Sequence, residues 1–165
     1  MRGDFLNIVY SCETFNSPDD PSSGSRRHNK RRIMKSDSPA ELVQLIADHM
    51  EDGFLENIID MFRHDSNLYQ LTGSLIQDER VRVRIGITAL MEELKKLDPE
   101  NISGAVPVLL PLLDHPEPFV RGDSTNLLGI IGEGNTLSYL EKMLADENEN
   151  VRLIAKEAIE EMQQQ

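Results

Sequence analysis

The segment DERVRVRIGITALMEEL, residues 78–94, has two companions further along the chain: DHPEPFVRGDSTNLLGII at 114–131 and DENENVRLIAKEAIEEM at 146–162. Set in register on their Val-Arg pairs, all three open with an aspartate and continue as an amphipathic run. Counted from Val83, Val120 and Val151, positions +4, +7, +8 and +11 read Ile87, Leu90, Met91, Leu94, then Ser124, Leu127, Leu128, Ile131, then Ala155, Ala158, Ile159, Met162. That spacing is one face of an α-helix, presented three times. The aspartate precedes the arginine by six residues in the first and third copies (Asp78/Arg84, Asp146/Arg152) and by seven in the second (Asp114/Arg121), a one-residue insertion in the turn. Ahead of each aspartate lies another apolar helical stretch, 68–76, 102–113 and 136–144. The unit is therefore helix, Asp-bearing turn, helix, with Arg-to-Arg periods of 37 and 31. One such pair buries too little surface alone, so neighbours must stack to make a continuous core.

Working outward, the helical pattern reaches back to residue 38. Ser38-Pro39-Ala40-Glu41 is a capping box with proline at the first helical position. Leu42, Leu45, Ile46 and Met50 then share a face until Gly53, and Leu55, Ile58, Ile59 and Phe62 make the stripe of a second helix. A further helix is expected from about Asn67 to Ile76, with Leu68, Leu71 and Leu75 inward. Pro107 and Pro111, four apart, should bend or break the stretch 102–113, since each lacks an N–H and crowds an earlier carbonyl. The glycines of Gly129-Ile130-Ile131-Gly132-Glu133-Gly134 read as a helix end; a phosphate cradle would need a preceding strand and a nearby lysine.

The recurring charges predict a structural ladder of Asp78, Arg84, Asp114, Arg121, Asp146 and Arg152. Each aspartate can accept from helix-start amides and from the arginine of its own unit, and each arginine can reach the preceding turn. Spaced one per unit, these carboxylates do not converge on one pocket, which argues against catalysis. His28, His49, His64 and His115 have no ligand-like spacing, His64 and His115 reading as exposed turn residues, and Cys12 has no positioned base, so no metal, cofactor or nucleophile is indicated.

The chain has 165 residues, 5% aromatic and without Trp, which favours packed aliphatic helices over an all-β core. Its 17 basic and 29 acidic residues give a net charge of −12. Residues 1–37 hold seven of the basic and five of the acidic groups, which leaves 10 against 24, or −14, on 38–165. That excess opposes nucleic acid or an anionic membrane as partner and favours a basic protein. No apolar run reaches the roughly 18 residues of a membrane helix, and one cysteine forms no internal disulfide, so the cytoplasm is the expected compartment.

The stretch NSPDDPSSGSRRHNKRRIMK, residues 16–35, is too poor in apolar residues to fold, and 1–37 is expected to be a disordered tail. Three readings of it stay open. Arg26–Arg32 resembles a nuclear-import or RNA-contacting run. Phe5–Tyr10 before Ser11-Cys12 faintly resembles a lipoprotein export signal, although Asp4, Asn7 and the short apolar run oppose it. Alternatively, translation starts at Met34: a bacterial ribosome-binding AGGAGG reads in frame as Arg-Arg, and Arg31-Arg32-Ile33 precedes that methionine. An intact mass beginning at Met34 or Lys35 is the outcome this last reading expects.

The Asp-turn-Val-Arg-helix unit, closest in LLGIIGEGNTLSYLEKMLADENENVRLIAKEA (127–158), resembles HEAT repeats, particularly the short repeats of bilin-lyase-like proteins. The resemblance implies an all-α fold, an α-solenoid (HEAT-like superhelix) of about four helix pairs: 38–63 as a degenerate N-terminal pair, then 66–97, 102–132 and 135–162 within a domain 38–165. Ser124 departs from a position usually small and apolar, and His115-Pro116-Glu117-Pro118 lengthens its turn, so the middle junction is expected to bend differently. The resemblance implies a non-catalytic protein-protein interaction or regulatory scaffold module. Its alternative is a lyase-like or chaperone subunit handling a prosthetic group with a partner, for which no bilin-specific pattern is visible. The second helices, 82–96, 120–131 and 151–162, are expected to line one concave surface. Pointing outward there, at offsets +2, +5 and +9, would be Ile85, Thr88 and Glu92, then Gly122 and Thr125, then Leu153, Lys156 and Glu160. An exposed end helix leaves self-association open.

Overall fold

A computed structural model describes residues 38–164. The expectations placed on 1–37, including disorder, the basic run and the start at Met34, lie outside the described residues. Within 38–164 the chain is an all-α solenoid with no strand. Helix α1 (Pro39–Glu51) starts as its capping box requires, with the Ser38 hydroxyl accepting from the Glu41 amide, and ends before Gly53 at φ 84°. Helix α2 (Leu55–His64) buries Ile58 and Phe62.

Each of the next three units has an irregular first arm and a long second helix. The stretch expected as one helix from Asn67 is instead a 3-10 turn, Ser66–Leu71, followed by the short α3 (Thr72–Leu75). Asp65 caps it by accepting from the Asn67 amide. The second arm breaks where the prolines fall: 3-10 over Ile102–Ala105, α5 (Val106–Leu109) with Pro107 in its first turn, then 3-10 over Leu110–Asp114 with Pro111 in its first turn. Proline is tolerated there because the opening N–H groups of a helix have no intrahelical acceptor. The third arm is a 3-10 turn, Gly134–Thr136, and α7 (Leu137–Met143).

The long helices are α4 (Val81–Leu97), α6 (Pro118–Ile131) and α8 (Glu149–Met162). Helix α4 packs on α1 and α2, and α6 packs on both α4 and α8. The repeated +4, +7, +8, +11 face is the core: Ile87, Leu90, Met91, Leu94, Ser124, Leu127, Leu128, Ile131, Ala155 and Ala158 are buried, with Ile159 and Met162 half-buried at the end. Truncating one of the fully buried leucines to alanine costs about 3 kcal/mol in such a core. Under α2, the Phe62 and Tyr69 rings meet edge-to-face at 5.3 Å, and the Tyr69 hydroxyl donates to Asp98 at 2.8 Å. Burial and that carboxylate push the phenol up. Helix α6 ends on Gly132 in the left-handed region at φ 69°, its N–H donating to the Leu128 carbonyl. A side chain in that conformation would be strained, which explains the glycine.

Candidate functional site

The turns and the starts of the long helices hold most of the charged groups and the open surface. Asp78 and Asp146 each fold their turn by accepting from the amide two residues on, Arg80 and Asn148 respectively. Asp114, in the lengthened turn, is exposed and its carboxylate has no partner among the described residues.

The arginines also divide two against one, but the exception falls in the first unit. Arg121 Nη1 donates to the carbonyls of His115 and Pro116 at 2.9 and 3.1 Å. Arg152 Nη1 makes the same two bonds one unit later, to Asp146 and Glu147 at 2.8 and 3.0 Å. Each guanidinium thus closes its own turn from five and six residues away. Arg121 has donors to spare, and Nε and Nη2 grip Asp146 of the following turn at 2.8 and 2.9 Å, with Glu147 at 3.3 Å. Both the Arg121 and Asp146 side chains are only 7% exposed. The paired guanidinium holds the Asp146 carboxyl below the usual range, against the opposing effect of its burial. This link runs forward to the next turn, which corrects the expected reach to the preceding one: the arginine sits at the helix start, level with the next turn in the stack.

Arg84 does neither job. Its Nε lies 3.2 Å from Asp123 Oδ2 on α6, and its guanidinium sits 4.3 Å above the Phe119 ring. Nε and Oδ2 are both buried yet misaligned for a hydrogen bond. Burial pushes the Asp123 carboxyl up, offset in part by Arg84. Asp78 is served by Arg80, which donates to it through Nε and Nη2 and through Nη1 reaches back to Asp48 and Glu51 of α1 at 2.8 and 2.7 Å. Asp78 is not bonded to Arg84 as the register predicted, because Arg80 is nearer. Arg80 escaped the sequence reading; an arginine two residues after a turn-closing aspartate was the available signal.

The surface expected from offsets +2, +5 and +9 divides by helix. On α4, Ile85 is 65% exposed, while Thr88 and Glu92 are half-buried and the Thr88 hydroxyl donates back to the Arg84 carbonyl. On α8, Leu153 is 54% exposed, and Lys156 and Glu160 are exposed with their charged ends 3.9 Å apart. On α6 the expectation fails: Gly122 and Thr125 are buried, and the Thr125 hydroxyl donates to the Arg121 carbonyl. The reason is α8. A Cβ on Gly122 would meet Ile154 at 3.1 Å, and one on Gly129 would lie 2.5 Å from the Ala158 Cβ. Gly129 is therefore a helix-contact residue, not a helix end. Glycine at +2 and +9 marks a close helix approach, a signal the sequence carries.

Where Arg84 has turned aside, a shallow cleft of about 400 Å³ opens between two successive turns, lined by Gln77, Glu79, Arg84, His115, Glu117 and Phe119. The Glu117 amide donates to His115 Nδ1, which fixes that half-buried ring; His64, exposed at the end of α2, has its Nδ1 2.6 Å from the Asp60 carbonyl. Val81 and Ile85, one turn apart on α4, add apolar surface at 57% and 65% exposure. Among the described residues no group of three or more His, Cys, Asp or Glu is placed to hold a metal ion, and no helix is long and apolar enough to cross a membrane.

The family model for HEAT repeats matches residues 70–160. No curated protein matches the chain.

Proposed function

The chain belongs to the HEAT-repeat family, whose members generally mediate protein-protein interaction or scaffolding without catalysis, and from that premise we propose that it is a non-catalytic interaction module for a basic protein. One observation carries the reading: α4, whose Arg84 lines an open cleft, leaves two large apolar side chains, Val81 and Ile85, more than half exposed, on a repeat body with 10 basic and 24 acidic residues. Exposed aliphatics offer contact area, while the acidic excess speeds encounter with a positive partner and makes binding salt-dependent. Self-association and cytoplasmic residence belong to the same proposal.

The test is capture of partners from an extract of the source organism on the immobilised full chain, washed at low and high salt. A discrete basic protein is expected. Its retention should fall at least tenfold with Ile85→Arg, which places a like charge on the contact surface, and should weaken as salt rises. No retained protein, or retention indifferent to both Ile85→Arg and salt, would overturn the reading.

A further inference from the structure

The molecule contains its own template for what the cleft accepts. At the second junction the space between successive turns is filled by the Arg121 guanidinium, gripped by Asp146 and Glu147 on one side and by the His115 and Pro116 carbonyls on the other. At the first junction the corresponding space is the open cleft. Its occupant by register, Arg84, lies in the wall with its charge already answered by Asp123 and its plane against Phe119. Facing the cleft are Glu79 from one turn and Glu117 from the next, both exposed and neither with a side-chain partner among the described residues. Asp114, the carboxylate that register would pair with Arg84, is also unpartnered. Within the cleft lining, the two unanswered carboxylates, Glu79 and Glu117, against one neutralised arginine favour a cation and oppose an anion.

We propose that this cleft receives an arginine side chain presented by a protein partner, the intermolecular counterpart of Arg121. Arginine suits it better than lysine, because a planar fork of five donors can serve carboxylates on two walls at once, whereas an ammonium is a single compact charge. Partner residues flanking the arginine rest on Val81 and Ile85. The inference rests on the reading of the chain as a module for a basic protein and names the residue it recognises.

The experiment titrates the full chain with the tripeptide N-acetyl-Leu-Arg-Leu amide and with versions carrying lysine, citrulline or glutamate in place of arginine, followed by backbone amide NMR. Saturable shifts confined to residues 77–85 and 115–120 are expected with arginine, at least threefold weaker binding with lysine, and none with citrulline or glutamate. The Glu79→Gln/Glu117→Gln double variant should weaken the arginine peptide roughly tenfold, as two partly exposed charge contacts would; Glu149→Gln on α8 should leave it unchanged. Shifts scattered over the acidic surface, equal binding of lysine or citrulline, or indifference to the double variant would each overturn the proposal. The two readings fail separately. A captured partner sensitive to Ile85→Arg but indifferent to the double variant removes the arginine slot and keeps the module, whereas tripeptide binding in the cleft with no captured partner does the reverse.

Discussion

The junction between α4 and α6 and the junction between α6 and α8 are built from the same repeat, and they solve the same contact differently. At the second, Gly122, Thr125 and Gly129 let α6 lie against α8, with a Cβ on Gly129 excluded by Ala158, and Arg121 ties the two turns together through Asp146. At the first, Ile85 and Glu92 stand where the two glycines stand, the arginine turns to Asp123, and the space between the turns stays open. Lys95 reaches across to the Ile131 carbonyl at the far end of this seam. The difference traces to one inserted residue. His115-Pro116-Glu117-Pro118 carries Asp114 out of register with Arg84, and the guanidinium takes the nearest remaining carboxylate. A tight junction is what the repeat makes when its turn keeps its length, and an open one is what it makes when the turn grows.

The sharpest way to break that contrast is to remove the carboxylate from each side. Asp146→Ala strands a nearly buried guanidinium and should cost about 3 kcal/mol of unfolding free energy. Asp123→Ala removes a misaligned partner and should cost under about 1 kcal/mol. Urea unfolding of the full chain measures both, and equal losses would show that the two pairs are equivalent. Next in size, Gly129→Val drives a side chain into Ala158 and should destabilise by about 2 kcal/mol, whereas Gly134→Ala, where a Cβ meets open space, should do little.

Acid sharpens the comparison, because the two carboxyls respond with opposite sign. Asp146 is held below the ordinary carboxylate value of about 3.9, so near that pH the unfolded chain binds more protons. The stability Asp146 contributes is present above that value and drains as pH falls through its lowered folded value. Asp123 is raised by burial, so the folded chain binds more protons, and stability falls as pH rises from the ordinary value through the raised one. Across pH 3–7, Asp146→Asn should therefore flatten the acid-side loss of stability, and Asp123→Asn should remove a penalty near neutrality. Parallel curves for the two variants would contradict this assignment. The smallest effect tests the cause itself. Deleting Pro116 shortens the turn by the one inserted residue and should raise the Arg84/Asp114 coupling in a double-mutant cycle from near zero to about 0.5–1 kcal/mol.

Much of the fold was legible because helix periodicity and caps are local. The Val-anchored face named the core, Ser38-Pro39 opened α1, and Pro107 and Pro111 marked where the second arm breaks. The surface was harder to read, since exposure depends on what lies opposite. Offsets +2, +5 and +9 share one face, and threonine stands at +5 in both α4 and α6, but at +2 and +9 the Gly122 and Gly129 of α6 are far smaller than Ile85 and Glu92 or Leu153 and Glu160. Side-chain volume at those positions distinguishes a face covered by the next helix from one left open. The ladder was harder still, because an arginine with five donors chooses among carboxylates within reach, and one residue of turn length changes which are within reach.

The interrupted arm over 102–114 has a consequence for the order of folding. No stretch of it runs longer than five residues in one helix type, so it contains no nucleus able to form alone. Its conformation must be imposed by the helices it lies against, and the intact pair α6 and α8, closely joined by glycine and alanine, is the natural seed. From that seed, folding is expected to run from the C-terminal half toward the N-terminal half, one of the directions that growth along a one-dimensional array allows. High φ-values at Leu127 and Ala155 with low ones at Ile102 and Leu109 are the expected kinetic record of that direction, and the reverse pattern would exclude it.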